Sequence, residues 1–207
     1  DLVCHPSKDG ELSSLIGRVR LHLGADARPH LVNRLDRETS GVVLVAKTDV
    51  AARELRRLWE TRRGRKEYLA VVHGPVLEDR GTINAPLGKD ESSRVAIKDC
   101  VRPDGAESQT DFEVLRRSVF RRDPVDDTTP PIPVTLLRIL PCTGRKHQIR
   151  IHLAHIGHPI VGDKIYGGDE DAYLALVERR LTDEHRAALL LPHQALHATS
   201  VAFAWRG

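Results

Sequence analysis

A charged loop comes directly before an apolar run in this sequence: residues 33–41 read Asn-Arg-Leu-Asp-Arg-Glu-Thr-Ser-Gly. A loop at the entry to a rigid strand is a place where a scaffold can hold a catalytic carboxylate. Here that carboxylate is Asp36, and Arg34 and Arg37 favour its ionised form if they fold near it. The alternative is a polar turn with local ion pairs, which the spacing alone favours over a catalytic site.

A dense group of cations follows this loop. Arg53, Arg56 and Arg57 precede residues 62–66, which read Arg-Arg-Gly-Arg-Lys, and nearby acidic residues are too few to balance them. Such a group can align with phosphates and gives a salt-dependent affinity for nucleic acid. The alternative, which the sequence supports equally, is that these cations lie on an exposed helix face and contact only water. Tyr68 opens the next apolar run, and on its own it is more often a core or edge aromatic than a catalytic group.

The third segment, residues 143–163, combines cations with histidines. The N-terminal half of a helix predicted over residues 145–156 carries four basic side chains, namely Arg145, Lys146, His147 and Arg150. The helix dipole disfavours cations at that end. A functional role or an anionic neighbour is therefore expected for them.

The histidines of this segment raise the question of a metal site. They are His147, His152, His155 and His158, and two of them, His152 and His155, are three residues apart. No Asp or Glu lies on the predicted helix to complete an HExxH-like set, and the nearby cations repel a divalent ion. We therefore predict no metal here. The sequence also contains no glycine-rich phosphate loop, GxSxG elbow or Cys-His nucleophile pattern.

Length and composition limit the class of protein. The 207 residues, 40% of them hydrophobic, suit one domain with a real core, and the net charge of +3 leans only slightly toward a polyanionic partner. No apolar run approaches the roughly 18 residues of a membrane span, and no secretion leader is visible. Three cysteines without a CxxC pair argue against a disulfide scaffold and suit a reducing cytosol. The absence of Met indicates a fragment or a chain that lacks its start.

Apolar spacing predicts four helical stretches. They cover residues 12–23, 50–62, 145–156 and 171–190, with a cap at Thr48 or Asp49 and stops at Gly24 and Gly157. Strands are predicted where apolar or β-branched residues run together. The predicted strands cover residues 42–46, 68–72 and 198–205 and the stretches near 94–98, 111–115 and 134–140. The strand at 42–46 is expected to be buried.

The order of these elements indicates the fold class. Residues 121–133 are rich in Asp and Pro and are predicted to form a long surface loop. Strands and helices mix without a strict βαβ alternation. The prediction is therefore an α+β fold with a mixed, mostly antiparallel central sheet flanked by helices.

Taken together, the three segments resemble the RluA-type pseudouridine synthases. The family's first block reads His-Arg-Leu-Asp, then two variable residues, then Thr-Ser-Gly, and residues 33–41 match it. Its second block is a Lys-x-Tyr-x-Ala strand that ends in Gly, and residues 66–74 match it. Its third block, Thr-Gly-Arg-x-His-Gln-Ile-Arg followed by Gly-His-Pro-Ile-x-Gly-Asp and Tyr-Gly, is matched at 143–167. A closing Leu-His-Ala block is matched at 196–198. The blocks occur in family order, so the resemblance is specific.

Two positions depart from the family's blocks. Asn33 stands where the family usually has His, and Lys146 where Thr or Ser is common. Neither position is assigned to bond-making, so the departures bear on substrate preference more than on activity. The resemblance implies one catalytic domain over residues 1–207, without the family's first strand ahead of His5 and without an S4 module.

The resemblance implies an isomerase that converts uridine in RNA into pseudouridine: the N1–C1′ bond breaks, the uracil turns, and C5 bonds to C1′. The base must first leave its stack, at a cost in free energy. Arg34 is implied to fill the vacated space or to contact the displaced backbone. Asp36 is implied to act on the sugar, either as a nucleophile at C1′ or by promoting proton loss from C2′.

Further roles follow from the same resemblance. Arg150 is implied to pair with Asp36, which favours the carboxylate form and fixes its orientation. Tyr68 is implied to stack on the uracil, with its hydroxyl a candidate for removing the C5 proton, and Leu196 to form an apolar wall beneath the site. Four more side chains are implied to contact the RNA, namely Arg65, Lys66, Arg145 and His147.

The implied partner is a structured RNA, either ribosomal or transfer RNA. The reaction involves no redox, hydride or group transfer, so no cofactor and no metal are expected. DNA and membranes are not expected as partners, and a cytoplasmic monomer is the expected form. The competing class is a catalytically silent RNA-binding module, which would bind RNA with a steep salt dependence and no isomerisation. A metal-dependent hydrolase built on the histidines is a distant third.

Overall fold

A computed structural model describes residues 3, 4, 6, 10–24, 26–61, 63–122 and 128–205 of the chain. The helices are α1 (Leu15–Leu23), α2 (Asp49–Glu60), α3 (Gln148–His155), α4 (Asp171–Val177) and α5 (Asp183–Leu189). The strands are β1 (His30–Leu31), β2 (Ser40–Gly41), β3 (Val45–Ala46), β4 (Arg65–His73), β5 (Arg80–Asn84), β6 (Leu87–Lys89), β7 (Asp99–Val101), β8 (Gln109–Phe120), β9 (Ile132–Pro141) and β10 (Leu196–Ala202). This mixture confirms the predicted α+β class.

The chain divides into two compact units, one made of residues 1–66 with 198–207 and the other of residues 67–197. The division falls within β4 and within β10. The assignment of the whole chain to one catalytic domain, without the family's first strand ahead of His5, stays a prediction. Among the residues described, no helix has both the length and the apolar character needed to cross a membrane.

The helices of the first unit begin at residues that cap them. The Ser14 side chain accepts the Gly17 N–H at 3.2 Å at the start of α1, and the Thr48 side chain accepts the Ala51 N–H at 3.2 Å at the start of α2. Both predicted helices are therefore confirmed. The first begins later than its apolar pattern, because Leu12 lies in a preceding 3-10 turn.

The core of the first unit forms between α2 and a short hairpin. β1 pairs with β3 in antiparallel register. Ala52 and Leu55 of α2 are buried with Ala46 of β3, while the helix's arginines at 53, 56 and 57 are exposed. This is the division of faces that the apolar spacing predicted.

The continuous buried strand predicted over residues 42–46 is not formed. β3 contains only Val45 and Ala46, and Val42 is 42% exposed. The side chain of Asn33 bonds to the Val42 carbonyl at 3.1 Å and to the Leu44 N–H at 2.7 Å. These are backbone groups that a neighbouring strand would otherwise use, so a side chain takes the place of the predicted pairing.

The second unit is built on an antiparallel sheet in which β4, β9, β8 and β5 lie side by side. Tyr68 of β4 is opposite Ile139 of β9. α3 packs on this sheet, with Ile149 and Leu153 buried in the same core as Ile139 and Val72. The predicted mostly antiparallel sheet is confirmed.

Several element boundaries in the second unit differ from prediction. Residues 94–98 form turns, and the strand begins at Asp99. The helical pattern at 171–190 forms two helices because Arg179, with a left-handed φ of 58°, cannot continue a right-handed helix. The helix predicted from Arg145 begins at Gln148, because His147 has a φ of 53°.

The remaining differences concern strands and one loop. β1, β2, β5 and β6 were not predicted, and the last strand starts at Leu196 and ends at Ala202. Of the loop predicted over residues 121–133, the last residues belong to β9, and 123–127 lie outside the described residues.

Candidate active site

The loop that carries Arg34 and Asp36 has a fixed base in the first unit. Asn33, which is buried, bonds to the backbone of Val42 and Leu44 on the far side of the loop. Within the loop the Thr39 N–H donates to the Asp36 carbonyl at 3.0 Å, which makes a tight turn. Arg34 is exposed and Asp36 is half-buried. The sequence thus holds both residues on a defined backbone.

Gly41 ends this loop, and its place there has a steric cause. Its φ is 118°, and a Cβ at this position would lie 2.1 Å from the Ala198 carbonyl oxygen. The Val42 N–H donates to that same carbonyl at 2.9 Å. Only glycine permits so close a backbone approach at this φ, which explains why the block ends in Gly.

Two of the residues predicted to contact RNA lie at the start of β4. Arg65 is exposed. The Lys66 ammonium lies 5.5 Å from the centre of the Trp59 ring, and burial lowers the pKa of Lys66. Lys66 is therefore packed on an aromatic face, whereas Arg65 is open to solvent.

Tyr68 and Leu196 share the core of the second unit. Leu196 is buried, and Tyr68 is half-buried and packs against the same cluster. An aromatic ring against an apolar floor has the character of a base-stacking surface. This agrees with the roles expected of these two residues, which stay predictions.

The turn before α3 is fixed by Gln148. Its side-chain oxygen accepts the Thr143 hydroxyl at 2.7 Å and the Arg145 N–H at 2.9 Å, while its nitrogen donates to the Gln109 carbonyl at 2.9 Å. Gln148 is buried. It therefore shapes the segment that places Arg145, which is exposed, and it explains physically why Gln belongs to the third block.

His147 lies beside the hydroxyl of Tyr166, with its Nδ1 2.9 Å from that oxygen. The Asp99 N–H donates to the same oxygen at 3.2 Å, so the hydroxyl lies between a backbone donor and the imidazole. Burial raises the pKa of Tyr166 well above its usual value of 10.0, which keeps the hydroxyl protonated. Lys146 pairs with the Asp99 carboxylate at 2.8 Å, one of the anionic neighbours expected for this segment.

Arg150 also has an anionic neighbour, which is Asp163. Arg150 Nε donates to Oδ2 at 2.7 Å and Nη2 donates to Oδ1 at 2.8 Å. The two side chains are 7% and 0% exposed. The Arg150 guanidinium also lies 5.0 Å from the centre of the Tyr166 ring. His147 and Arg150 therefore meet at one residue, Tyr166.

The charge state of Asp163 depends on this pairing. Burial by itself raises the pKa of the carboxyl, but the hydrogen bonds and charge of Arg150, with the backbone N–H groups of Tyr166 and Ile165, outweigh it and hold the pKa below its usual 3.8. The sequence alone assigned no role to Asp163. The signal that could have identified Asp163 is its place in the Gly-Asp pair of the third block.

Two further histidines of this segment, His152 and His158, have local partners. His152 is buried, with Nδ1 2.8 Å from the Thr110 hydroxyl and Nε2 2.9 Å from the Ala85 carbonyl. His158 Nδ1 lies 3.0 Å from the His73 carbonyl. Within the described ranges, no group of three or more His, Cys, Asp or Glu side chains is arranged to hold a metal ion.

Comparison with known proteins identifies the family. Residues 1–155 match the family described as RNA pseudouridylate synthase. This chain belongs to the RNA pseudouridylate synthase family. The resemblance inferred from the three segments is thereby confirmed.

Individual relatives agree with this assignment. The chain is 37% identical over 172 residues to an uncharacterized RNA pseudouridine synthase of Aquifex aeolicus, which covers 80% of this chain. It is 35% identical over 190 residues to the dual-specificity RNA pseudouridine synthase RluA of Pasteurella multocida, covering 92% of this chain and 72% of that one. The chain spans only 50% of the length of the Aquifex relative.

A solved structure shares the fold. Human RNA pseudouridylate synthase domain containing 1 matches 91% of this chain with a TM-score of 0.68 and 28% identity, and 68% of that chain is covered. This similarity supports the α+β fold described above.

Proposed function

We propose that this chain carries the catalytic part of an enzyme that isomerises uridine to pseudouridine within RNA. The observation that carries the proposal is the family match over residues 1–155, which includes Asp36, Tyr68 and Arg150 at their motif positions. The Pasteurella relative is named a dual-specificity RNA pseudouridine synthase. We infer that the RNA modified here is structured, either ribosomal or transfer RNA.

The reaction begins with extrusion of the target base. A stacked uridine cannot reach a carboxylate in a loop, so the nucleotide flips out of its helix. Arg34, which is exposed, is suited to fill the vacated space or to hold the displaced backbone. Asp36 then acts on the sugar, as a nucleophile at C1′ or by promoting proton loss from C2′.

The N1–C1′ bond breaks, and the uracil stays in the site, turns and bonds to C1′ through C5. One carboxylate suffices because the base is retained, unlike glycoside hydrolysis, in which two carboxylates flank the bond. Formation of the C5–C1′ bond requires C5 to lose its hydrogen. Tyr68, packed above the core that contains Leu196, supplies the stacking surface, and its hydroxyl is the candidate base for that proton.

The remaining residues are proposed to bind the RNA and to keep the reacting carboxylate ionised. Arg150 contributes directed N–H donors that favour the anionic form of the reacting carboxylate. Arg65, Lys66, Arg145 and His147 are proposed to contact the RNA. The reaction needs no redox partner or group carrier, and we expect a cytoplasmic monomer that uses neither cofactor nor metal.

The test is tritium release from RNA labelled at uracil C5. Bond formation at C5 frees the label, so release into water measures the isomerisation directly. The substrate is total RNA from cells in which the gene is deleted, and the Asp36→Asn variant is compared with the wild type. Asp26→Asn, a change at an exposed carboxylate in the same unit, is the matched control.

We expect the wild type and Asp26→Asn to release tritium and Asp36→Asn to release none while it still binds RNA. Near-wild-type turnover by Asp36→Asn would show that Asp36 is not the catalytic carboxylate. RNA binding by the wild type without tritium release would instead support a silent RNA-binding module. Mapping of pseudouridines in RNA from cells with and without the gene then identifies the target.

A further inference from the structure

We propose that Asp163 is a positioning residue of this reaction, which holds the Arg150 guanidinium in the orientation that catalysis uses. The inference rests on the proposed function, because it assigns Arg150 to the catalytic step. It concerns a contact that lies wholly within the second unit and that the spacing of the sequence did not reveal.

The geometry of the pair fixes the guanidinium along one edge. Nε and Nη2 of Arg150 each donate to a different oxygen of Asp163, at 2.7 and 2.8 Å. Such a two-point contact defines the plane as well as the position of the guanidinium. Nη1 is the nitrogen that Asp163 does not engage, so it is directed to the other side of the group. The Tyr166 ring, 5.0 Å away, flanks the guanidinium.

Asp163 is itself rigidly held. Its Oδ1 also accepts the N–H groups of Ile165 at 2.9 Å and Tyr166 at 3.1 Å, and its backbone carbonyl accepts the Gly167 N–H at 2.9 Å. A Cβ on Gly167 would lie 2.2 Å from that carbonyl oxygen, so the turn depends on glycine there. The anchor of Arg150 is therefore a carboxylate whose own position is determined by one closed turn.

A purely structural role explains this arrangement less well. Buried ion pairs contribute little to stability compared with apolar side chains of the same size, because both charges lose their hydration. The pair is also neutral as a whole, so Arg150 offers aimed donors more than a long-range positive field. A reacting carboxylate requires hydrogen-bond donors in a fixed orientation, and a small displacement of such donors lowers the reaction rate strongly.

The experiment compares single-turnover rates at saturating RNA, RNA affinity and thermal melting for Asp163→Asn, Arg150→Gln and the double variant. We expect Asp163→Asn to lower the rate constant by roughly 100-fold, the loss that a misplacement of about 1 Å causes, with RNA affinity unchanged. Because the two residues act as one unit, the double variant should be no slower than Arg150→Gln alone. Glu170→Gln, which removes the carboxylate charge that pairs with Arg94 and Lys98, is the control for general loss of structure.

Two results would overturn the proposal: a folded Asp163→Asn variant with the wild-type rate, or a double variant in which the two losses multiply. If Asp163→Asn does not fold, Asp163→Glu replaces it, since the longer side chain keeps the charge but shifts the guanidinium. Full turnover by a folded Asp163→Glu would equally contradict a positioning role.

A second readout separates this inference from the proposed function. In protein labelled with ¹⁵N-arginine, the Nε–H resonance of Arg150 should exchange slowly in the wild type and fast in Asp163→Asn. Fast exchange in the wild type contradicts the inference whether or not the chain isomerises uridine. Slow exchange in a wild type that releases no tritium contradicts the proposed function, and with it any catalytic role for Asp163.

Discussion

The side-chain oxygen of Asn33 accepts a hydrogen bond from the backbone N–H of Leu44 at 2.7 Å. The same amide donates to the Val42 carbonyl at 3.1 Å, so one side chain joins the two ends of the loop that carries Asp36. Relatives of the RluA type usually have His here, and a neutral imidazole also has one donor and one acceptor. Asn supplies both functions without an ionisable group, so protonation cannot remove its acceptor.

Replacement of Asn33 by alanine should loosen this loop. Two part-buried hydrogen bonds, each contributing about 0.5–1.5 kcal/mol, are lost, which should lower the free energy of unfolding by about 1–3 kcal/mol. Urea titration measures this change, and Arg37→Ala, an exposed position in the same loop, is the control. An unfolding free energy equal to the wild type in Asn33→Ala would show that the clamp contributes nothing.

The outer face of α2 should contribute to RNA affinity through charge alone. Arg53, Arg56 and Arg57 are exposed there. If each contacts a phosphate, changing all three to Gln should reduce the slope of log affinity against log salt by about 2 to 3. Affinity measured at several salt concentrations gives this slope.

A matched set of arginines tests whether position matters for this slope. Arg80, Arg94 and Arg186 are exposed, and each is paired with a nearby carboxylate. Their change to Gln removes the same formal charge and should leave the slope close to that of the wild type. Equal slopes for the two triple variants would indicate a non-specific effect of net charge and contradict a phosphate contact at α2.

His152 should make the protein less stable as the pH falls below neutrality. Burial lowers the pKa of His152 below its usual 6.5, with His155 adding to the effect and the bond to the Ala85 carbonyl opposing it. Above pH 6.5 the folded and unfolded chains both hold the residue neutral. Below that value the unfolded chain takes up a proton that the folded chain refuses, so the stability is lost between 6.5 and the lower folded pKa.

Urea titrations at about pH 7.5 and about pH 5 measure this loss, which is about 1.4 kcal/mol for each unit that separates the two pKa values. His152→Gln should show a smaller loss over this range. His22→Gln, at an exposed position, should keep the wild-type dependence. An unchanged pH dependence in His152→Gln would contradict a neutral, buried imidazole.

Features set by neighbouring residues could be predicted from the sequence. Thr48 caps α2 because its hydroxyl reaches an N–H three residues away, and the apolar faces of α2 and of the antiparallel strands follow from periodicity. The blocks around Asp36, Tyr68 and Arg150 identified the family for the same reason, since a motif is a local pattern. Where a prediction failed, as at residues 42–46, a residue outside the segment decided the structure: the Asn33 side chain bonds to Val42 and Leu44, 9 and 11 residues away.

The sequence by itself determined the α+β class, the helix that Thr48 caps and the family to which the chain belongs. Only the tertiary structure decided which acceptor each buried donor finds. Arg150 bonds to Asp163 and Gln148 to the Gln109 carbonyl, contacts that join different elements. Spacing along a chain gives the face on which a side chain lies, but burial makes unpaired polar groups costly, and the packed fold alone determines which partner is within reach.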